Sequence, residues 1–147
     1  MPGPDSYGEL KLWDLATNKE RSTFKGPSPG FKSLAFASDG KTLAVGMGTG
    51  KVGLWDVRTF TERKALDHGV SVYCVAFSPD GRSLASAGLG PEVKIWDVST
   101  GKQTSGFKDS KWVIALAFAP DGKTLAAGNA AEDTGRPAEV KLWNLAR

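Results

Sequence analysis

VAFSPDGRSLASAGLGPEVKIWD, residues Val75 to Asp97, is three β-prone runs joined by two turn sequences. Ser78-Pro79-Asp80-Gly81 joins the first two runs, with Pro presetting φ and Gly free to take a positive φ. Gly88-Leu89-Gly90-Pro91 separates Ser83–Ala87 from Glu92–Trp96. Working outward, the first run begins near Val70, and a fourth covers Lys102–Phe107. No segment sustains an apolar period of 3.6, so helices have little support. The unit predicted is a four-stranded antiparallel sheet in an all-β chain.

The unit recurs. Phe-x-x-Asp-Gly stands at Phe36/Asp39/Gly40, Phe77/Asp80/Gly81 and Phe118/Asp121/Gly122, each set 41 residues after the last. A second motif tracks it: Leu10-Lys11-Leu12-Trp13-Asp14, Val52-Gly53-Leu54-Trp55-Asp56, Val93-Lys94-Ile95-Trp96-Asp97 and Val140-Lys141-Leu142-Trp143-Asn144. Phe to Trp spans 19 residues in the first two repeats and 25 in the last, so six residues are inserted between Gly128 and Val140. Each innermost run pairs a large residue with a small one before its Phe (Leu34/Ala35, Val75/Ala76, Leu116/Ala117), which suits radial sheets tapering toward an axis.

Two motifs recurring together at a 41-residue period and ending in Trp-Asp closely resemble the WD-repeat β-propeller family, over nearly the whole chain. The resemblance implies blades of four strands, a to d from the axis outward. A leading half-blade of strands c and d covers residues 8–25. Blade 1 covers 26–66, blade 2 covers 67–107, and blade 3, lacking its outer strand, covers 108–147. Strands are expected near Glu9–Trp13, Arg21–Phe24, Phe31–Ala37, Thr42–Val45, Lys51–Trp55 and Thr61–Leu66. The four runs of blade 2 follow, then Trp112–Ala119, Thr124–Gly128 and Glu139–Trp143. Trp55, Trp96 and Trp143 are expected to be buried at equivalent places, with Trp13 in the half-blade.

Those thirteen strands do not close a ring. Propellers have about four to eight blades, and closure removes their sheet edges. The expectation is a partial propeller, either a segment of a larger ring or a protomer completed by copies of itself. In the second case strand d near Arg21–Phe24 of one copy closes blade 3 of the next. Two copies then give six blades and three give nine, so a dimer is favoured over a trimer.

Chemistry has little to stand on. His68 is the only histidine and Cys74 the only cysteine, so neither a disulfide framework nor a multi-cysteine zinc site is available. Cys74 lies in an apolar run and reads as a small buried thiol. By resemblance, His68 reaches toward Ser86 and Trp96 within its own blade. The family's usual Asp in the b–c turn is missing, and the other blades have Pro27-Ser28-Pro29 and Asp109-Ser110-Lys111 where this His would stand. Asp39, Asp80 and Asp121 are expected to hold turns, as are Asp56 and Asp97. Gly46-Met47-Gly48-Thr49-Gly50 precedes no helix and offers no phosphate cradle. The expected protein is not an enzyme and takes no cofactor or metal.

Binding is the remaining reading. The d–a and b–c loops of a propeller share one face, here carrying Phe31, Lys32, His68, Tyr73, Lys111 and Trp112, with the inserted 129–139 loop. Phe31, Lys32, Tyr73, Lys111 and Trp112 are candidate protein-binding residues, because aromatics beside cations on rigid loops recur at interface hot spots. The competing reading has Phe31 and Trp112 capping the blade core. A net charge of +3 with interspersed signs argues against nucleic acid. No apolar stretch reaches membrane-spanning length, and Met1-Pro2-Gly3-Pro4-Asp5 does not read as a signal peptide. The expected protein is a cytoplasmic, non-catalytic interaction scaffold. The alternative is a purely structural, self-assembling unit without an outside ligand.

Overall fold

Asp-Gly turns and Gly-rich hairpins fold successive apolar runs back on one another. A computed structural model of the chain describes the result for residues 8–26, 30–109, 111–131 and 135–145. Among these residues every regular element is a strand. A hairpin of β1 (Gly8–Asp14) and β2 (Lys19–Gly26) comes first. Blade 1 is β3 (Phe31–Phe36), β4 (Thr42–Met47), β5 (Lys51–Asp56) and β6 (Thr61–Asp67), paired in that order. Blade 2 repeats the order with β7 (Val72–Phe77), β8 (Ser83–Gly88), β9 (Glu92–Asp97) and β10 (Gln103–Lys108). Blade 3 has three strands, β11 (Val113–Phe118), β12 (Thr124–Asn129) and β13 (Val140–Asn144). The fold is thus an open propeller arc of a half-blade and three blades. The loops at 27–29, 110 and 132–134 lie outside the described residues, as does Met1–Asp5.

The turns are built as their residues dictate. Gly81 N–H donates to the Ser78 carbonyl at 2.9 Å, and Gly81 takes φ 73°. Such a φ is open to glycine at no steric cost. Asp80 closes the turn by accepting from Arg82 N–H at 3.0 Å; Asp39 and Asp121 accept from Lys41 and Lys123 N–H at 2.8 Å. At the opposite ends of the sheets, Asp56 Oδ1 accepts from Arg58 and Thr59 N–H. Asp97 Oδ1 accepts from Thr100 N–H and Ser99 Oγ, which hold its carboxyl down at a pKa of about 2. These carboxylates are committed to backbone geometry.

Packing between blades follows the two faces of each sheet. Strands β3 and β4 pack on β7, and β7 and β8 pack on β11. Ala44, Val52 and Leu54 of blade 1 meet Val72, Val75, Leu84 and Trp96 of blade 2 in one buried cluster. Cys74, Ala85, Ala87, Val93 and Ile95 of blade 2 meet Val113, Leu125 and Ala127 of blade 3 in another. Burial pushes the Cys74 thiol up to a pKa of about 12, so it stays protonated and inert.

The strand-c tryptophans show what a missing neighbour does. Trp13, Trp55 and Trp96 sit at ladder irregularities, and Trp55, Trp96 and Trp143 pack on the apolar strand-d residue of the preceding blade. Trp55 meets Phe24 edge-on with centroids 4.7 Å apart, Trp96 shares a cluster with Leu66, and Trp143 stacks on Phe107 at 4.8 Å. Trp55 and Trp96 are buried and Trp143 half-buried. Trp13 is 53% exposed, which corrects the expectation of its burial. No strand d precedes it among the described residues to cover the rest of its ring.

Candidate functional site

Backbone hydrogen bonds establish which loops share a face. Gly48, Leu89 and Ala130 N–H, in the b–c turns, donate to the carbonyls of Gly30, Ser71 and Trp112 at the strand-a entrances. On the other side, Val57, Val98 and Leu145 N–H, past strand c, donate to Lys41, Arg82 and Lys123 in the a–b turns. The first face therefore carries the candidate residues. Lys32 and Trp112 are exposed there, while Phe31 and Tyr73 are half-buried. Phe31 packs beside Leu10, Met47 and Trp55 in the seam between half-blade and blade 1.

Lys111 is buried, which takes it off the candidate surface. Its Nζ donates to the Pro137 carbonyl at 2.7 Å, so the inserted loop folds over it. The insertion leaves the hairpin register intact, with Gly128 opposite Val140 and Asn129 N–H donating to Glu139 O at 3.0 Å. Shortening the loop through Pro137 would strand a buried ammonium, a cost that the sequence alone does not reveal.

His68, Ser86 and Trp96 meet inside blade 2. His68 Nδ1 lies 2.9 Å from Ser86 Oγ, which also accepts from Trp96 Nε1 at 2.8 Å. All three residues are buried. His68 Nε2 is buried without a partner, consistent with Gly88-Leu89-Gly90-Pro91 offering no carboxylate. Burial, with the Lys94 ammonium nearby, lowers the His68 pKa from 6.5 to about 4. The imidazole is neutral at pH 7, and Ser86 is locked between two ring nitrogens with no acid behind them. That is a structural clasp and supplies no activated nucleophile.

A pH dependence follows from the clasp. With a folded-state pKa below the unfolded value, the unfolded chain binds the extra proton. Stability contributed by His68 is complete above about pH 6.5 and declines as the pH falls toward 4. Urea melts across this window should show the decline in the parent and a reduced slope in His68→Gln. Identical slopes would mean that His68 is not the titrating group.

Sequence reasoning missed the counterpart in blade 3. Asp109 occupies the place of His68 and is buried. Its carboxylate accepts from Lys141 Nζ at 2.8 Å and from Asn129 Nδ2 at 3.4 Å. This bond raises the Lys141 pKa, holding the ammonium charged. The signal was present in the sequence as Lys two residues before Trp143 and Asp where blade 2 has His. Only the fold brings them together. Among the described residues no three His, Cys, Asp or Glu side chains group as a metal site, and no helix is long and apolar enough to cross a membrane.

Three segments, residues 18–56, 59–97 and 101–144, match the family model described as WD domain, G-beta repeat. Each matched segment runs through strands d, a, b and c, so the repeat is offset by one strand from the structural blade and β1 is left over. No curated protein matches the chain significantly. Among solved structures, the Kuenenia stuttgartiensis hydrazine synthase superposes with a TM-score of 0.83 at 20% identity. The match covers 93% of this chain and 40% of that one, and at this identity the likeness is of fold alone.

Proposed function

The chain belongs to the WD domain, G-beta repeat family, and from that premise we propose that it is a non-catalytic protein-interaction scaffold. Its partners are proteins that complete the propeller, foremost a second copy of itself. One observation carries the reading. Val52 and Leu54 of blade 1 are buried by blade 2, and Val93 and Ile95 of blade 2 are buried by blade 3. Their counterparts in blade 3, Val140 and Leu142, are 75% and 72% exposed. A strand face built for a neighbouring blade lies open.

The other end of the arc is open in the complementary way. Leu34 and Phe36 of β3 occupy the places of Val75 and Phe77, which pack on the preceding blade. They are 53% and 54% exposed, because the half-blade has no strands a and b to cover them. One end therefore presents the surface that the other end is shaped to receive, the condition for a heterologous contact that closes into a ring. Strand β2 is paired along its inner edge with β1, from Gly8–Gly26 to Asp14–Lys19. In a closed dimer, Val140-Lys141-Leu142-Trp143 of a second copy takes the place of Leu10-Lys11-Leu12-Trp13 on β2. The surplus strand is then β1, the one left outside the three matched segments. Six blades result, inside the usual range.

The dispersed +3 charge supports neither nucleic acid nor membrane as partner, and a cytoplasmic setting is part of the proposal. The complementarity of the two ends also favours the second reading, a structural unit whose only ligand is itself. If that holds, Trp112 and Lys32 remain idle on the closed ring. Light scattering on the parent should give twice the mass of 15.6 kDa. Deletion of residues 1–26, or Leu142→Glu, should shift it to monomer. A parent that stays monomeric at high concentration would sink self-completion.

A further inference from the structure

Strand β1 lies on β2 in the ladder that strands c and d form inside a complete blade. Leu10 pairs with Phe24 as Val52 does with Leu66 and Val93 with Phe107. Trp13 pairs with Glu20 as Trp55 does with Glu62 and Trp96 with Gln103. In the half-blade and in blade 1 the register shifts just before that tryptophan. Asp14 Oδ1 then accepts from Ala16 and Thr17 N–H, as Asp56 Oδ1 does from Arg58 and Thr59 N–H. The motif of β1, Leu10-Lys11-Leu12-Trp13-Asp14, is nearly that of β13, Val140-Lys141-Leu142-Trp143-Asn144, the strand c with no strand d among the described residues. One seat on β2 therefore fits two strands.

The two occupants are held differently. Strand β1 belongs to a two-stranded sheet and contributes one buried side chain, Leu10, to the seam with Leu43, Val45, Met47 and Trp55. Trp13 is exposed, and a two-stranded hairpin by itself is marginally stable in water. Strand β13 comes paired with β12, and β12 with β11. A second copy therefore seats Val140 in the place of Leu10 and carries two further strands behind it. Its Val140 and Leu142 meet Leu34 and Phe36, as Val52 and Leu54 share a cluster with Val75. The ladder lost with β1 is regained on β13, and burial of these four exposed side chains is the surplus.

We infer that β1 is an intramolecular stand-in for strand c, capping the assembly site on β2 until its release lets a second copy dock β13 there. The inference rests on the self-completion reading and adds its regulation. A site open only in the chains whose β1 is released binds with an affinity reduced by that fraction. Removing β1 alone therefore strengthens assembly, whereas removing β1 and β2 together abolishes it. Fixing β1 in its seat blocks it.

Hydrogen exchange of the full chain, below and above its association concentration, reads the exchange of strands directly. Amides of β1 bonded to β2 are expected to be protected in the monomer and to lose protection in the dimer, while amides of β13 gain it. Deletion of residues 1–14 keeps β2 and should lower the dissociation constant at least about tenfold. The double variant Lys11→Cys/Thr23→Cys joins two residues that pair across the ladder. It should be monomeric when oxidised and assemble like the parent when reduced; Cys74 is buried and takes no part. Retained protection of β1 in a dimeric parent, an unchanged dissociation constant in the deletion, or assembly of the oxidised double variant would overturn the inference while association of the chain with itself stands. A parent that is monomeric throughout would overturn both.

Discussion

Trp96→Ala is expected to destabilise the chain by about 3–5 kcal/mol, the range for truncating a large aromatic in a packed core. Trp96 is buried against Leu66 of blade 1 and donates to Ser86 Oγ, so truncation removes packing between two blades and one bond of the His68 clasp. Stabilities of such domains are about 5–15 kcal/mol, so the loss should be plain as a shift in the midpoint of a urea melt. Trp13→Ala is the internal control. The residue type and motif are the same, but about half of its surface is open to solvent and the expected cost is under about 1 kcal/mol. Equal midpoints for Trp96→Ala and the parent would remove the assignment of these blades.

The second large effect separates blade 2 from blade 3 at one repeat position. Val93→Asp places a carboxylate in the apolar cluster with Val113, Leu125 and Ala127. An unpaired buried charge costs at least about 3 kcal/mol, and the variant should be largely unfolded at neutral pH. Val140→Asp puts the same charge at the same repeat position and leaves it in water. In dilute monomer its cost should stay within about 0.5 kcal/mol. Circular dichroism melts of the two variants at low concentration make the comparison. Loss of folding in Val140→Asp monomer would mean that this face is covered within a single chain. At higher concentration Val140→Asp should weaken self-association, because the covered state returns the carboxylate to an apolar contact.

Most of the architecture was legible because its causes are local. Pro79-Asp80-Gly81 and its counterparts set hairpin turns through backbone φ and a carboxylate two residues from an amide, and those causes act within four residues of chain. Alternation in Val93-Lys94-Ile95-Trp96 assigns faces before any neighbour is known. The period of 41 and the insertion before Val140 follow from the sequence alone, as does the His68–Ser86–Trp96 grouping that the family resemblance implied. What covers each face was not legible. Trp13 and Trp96 have one motif and opposite exposure, because only Trp96 has a strand d in front of it. Lys111 reads as a surface cation until Pro137, 26 residues later, folds over its ammonium. Asp109, Asn129 and Lys141 are scattered in sequence and gather around the buried Asp109 carboxylate only when β12 and β13 pair beside the d–a loop. Trp55 carries the family motif unchanged, yet its indole N–H has no partner, because Val45 stands where Ser86 serves Trp96. Local chemistry wrote the strands and turns; burial and pairing depend on contacts between residues far apart in the chain, and those exist only once the blades are stacked.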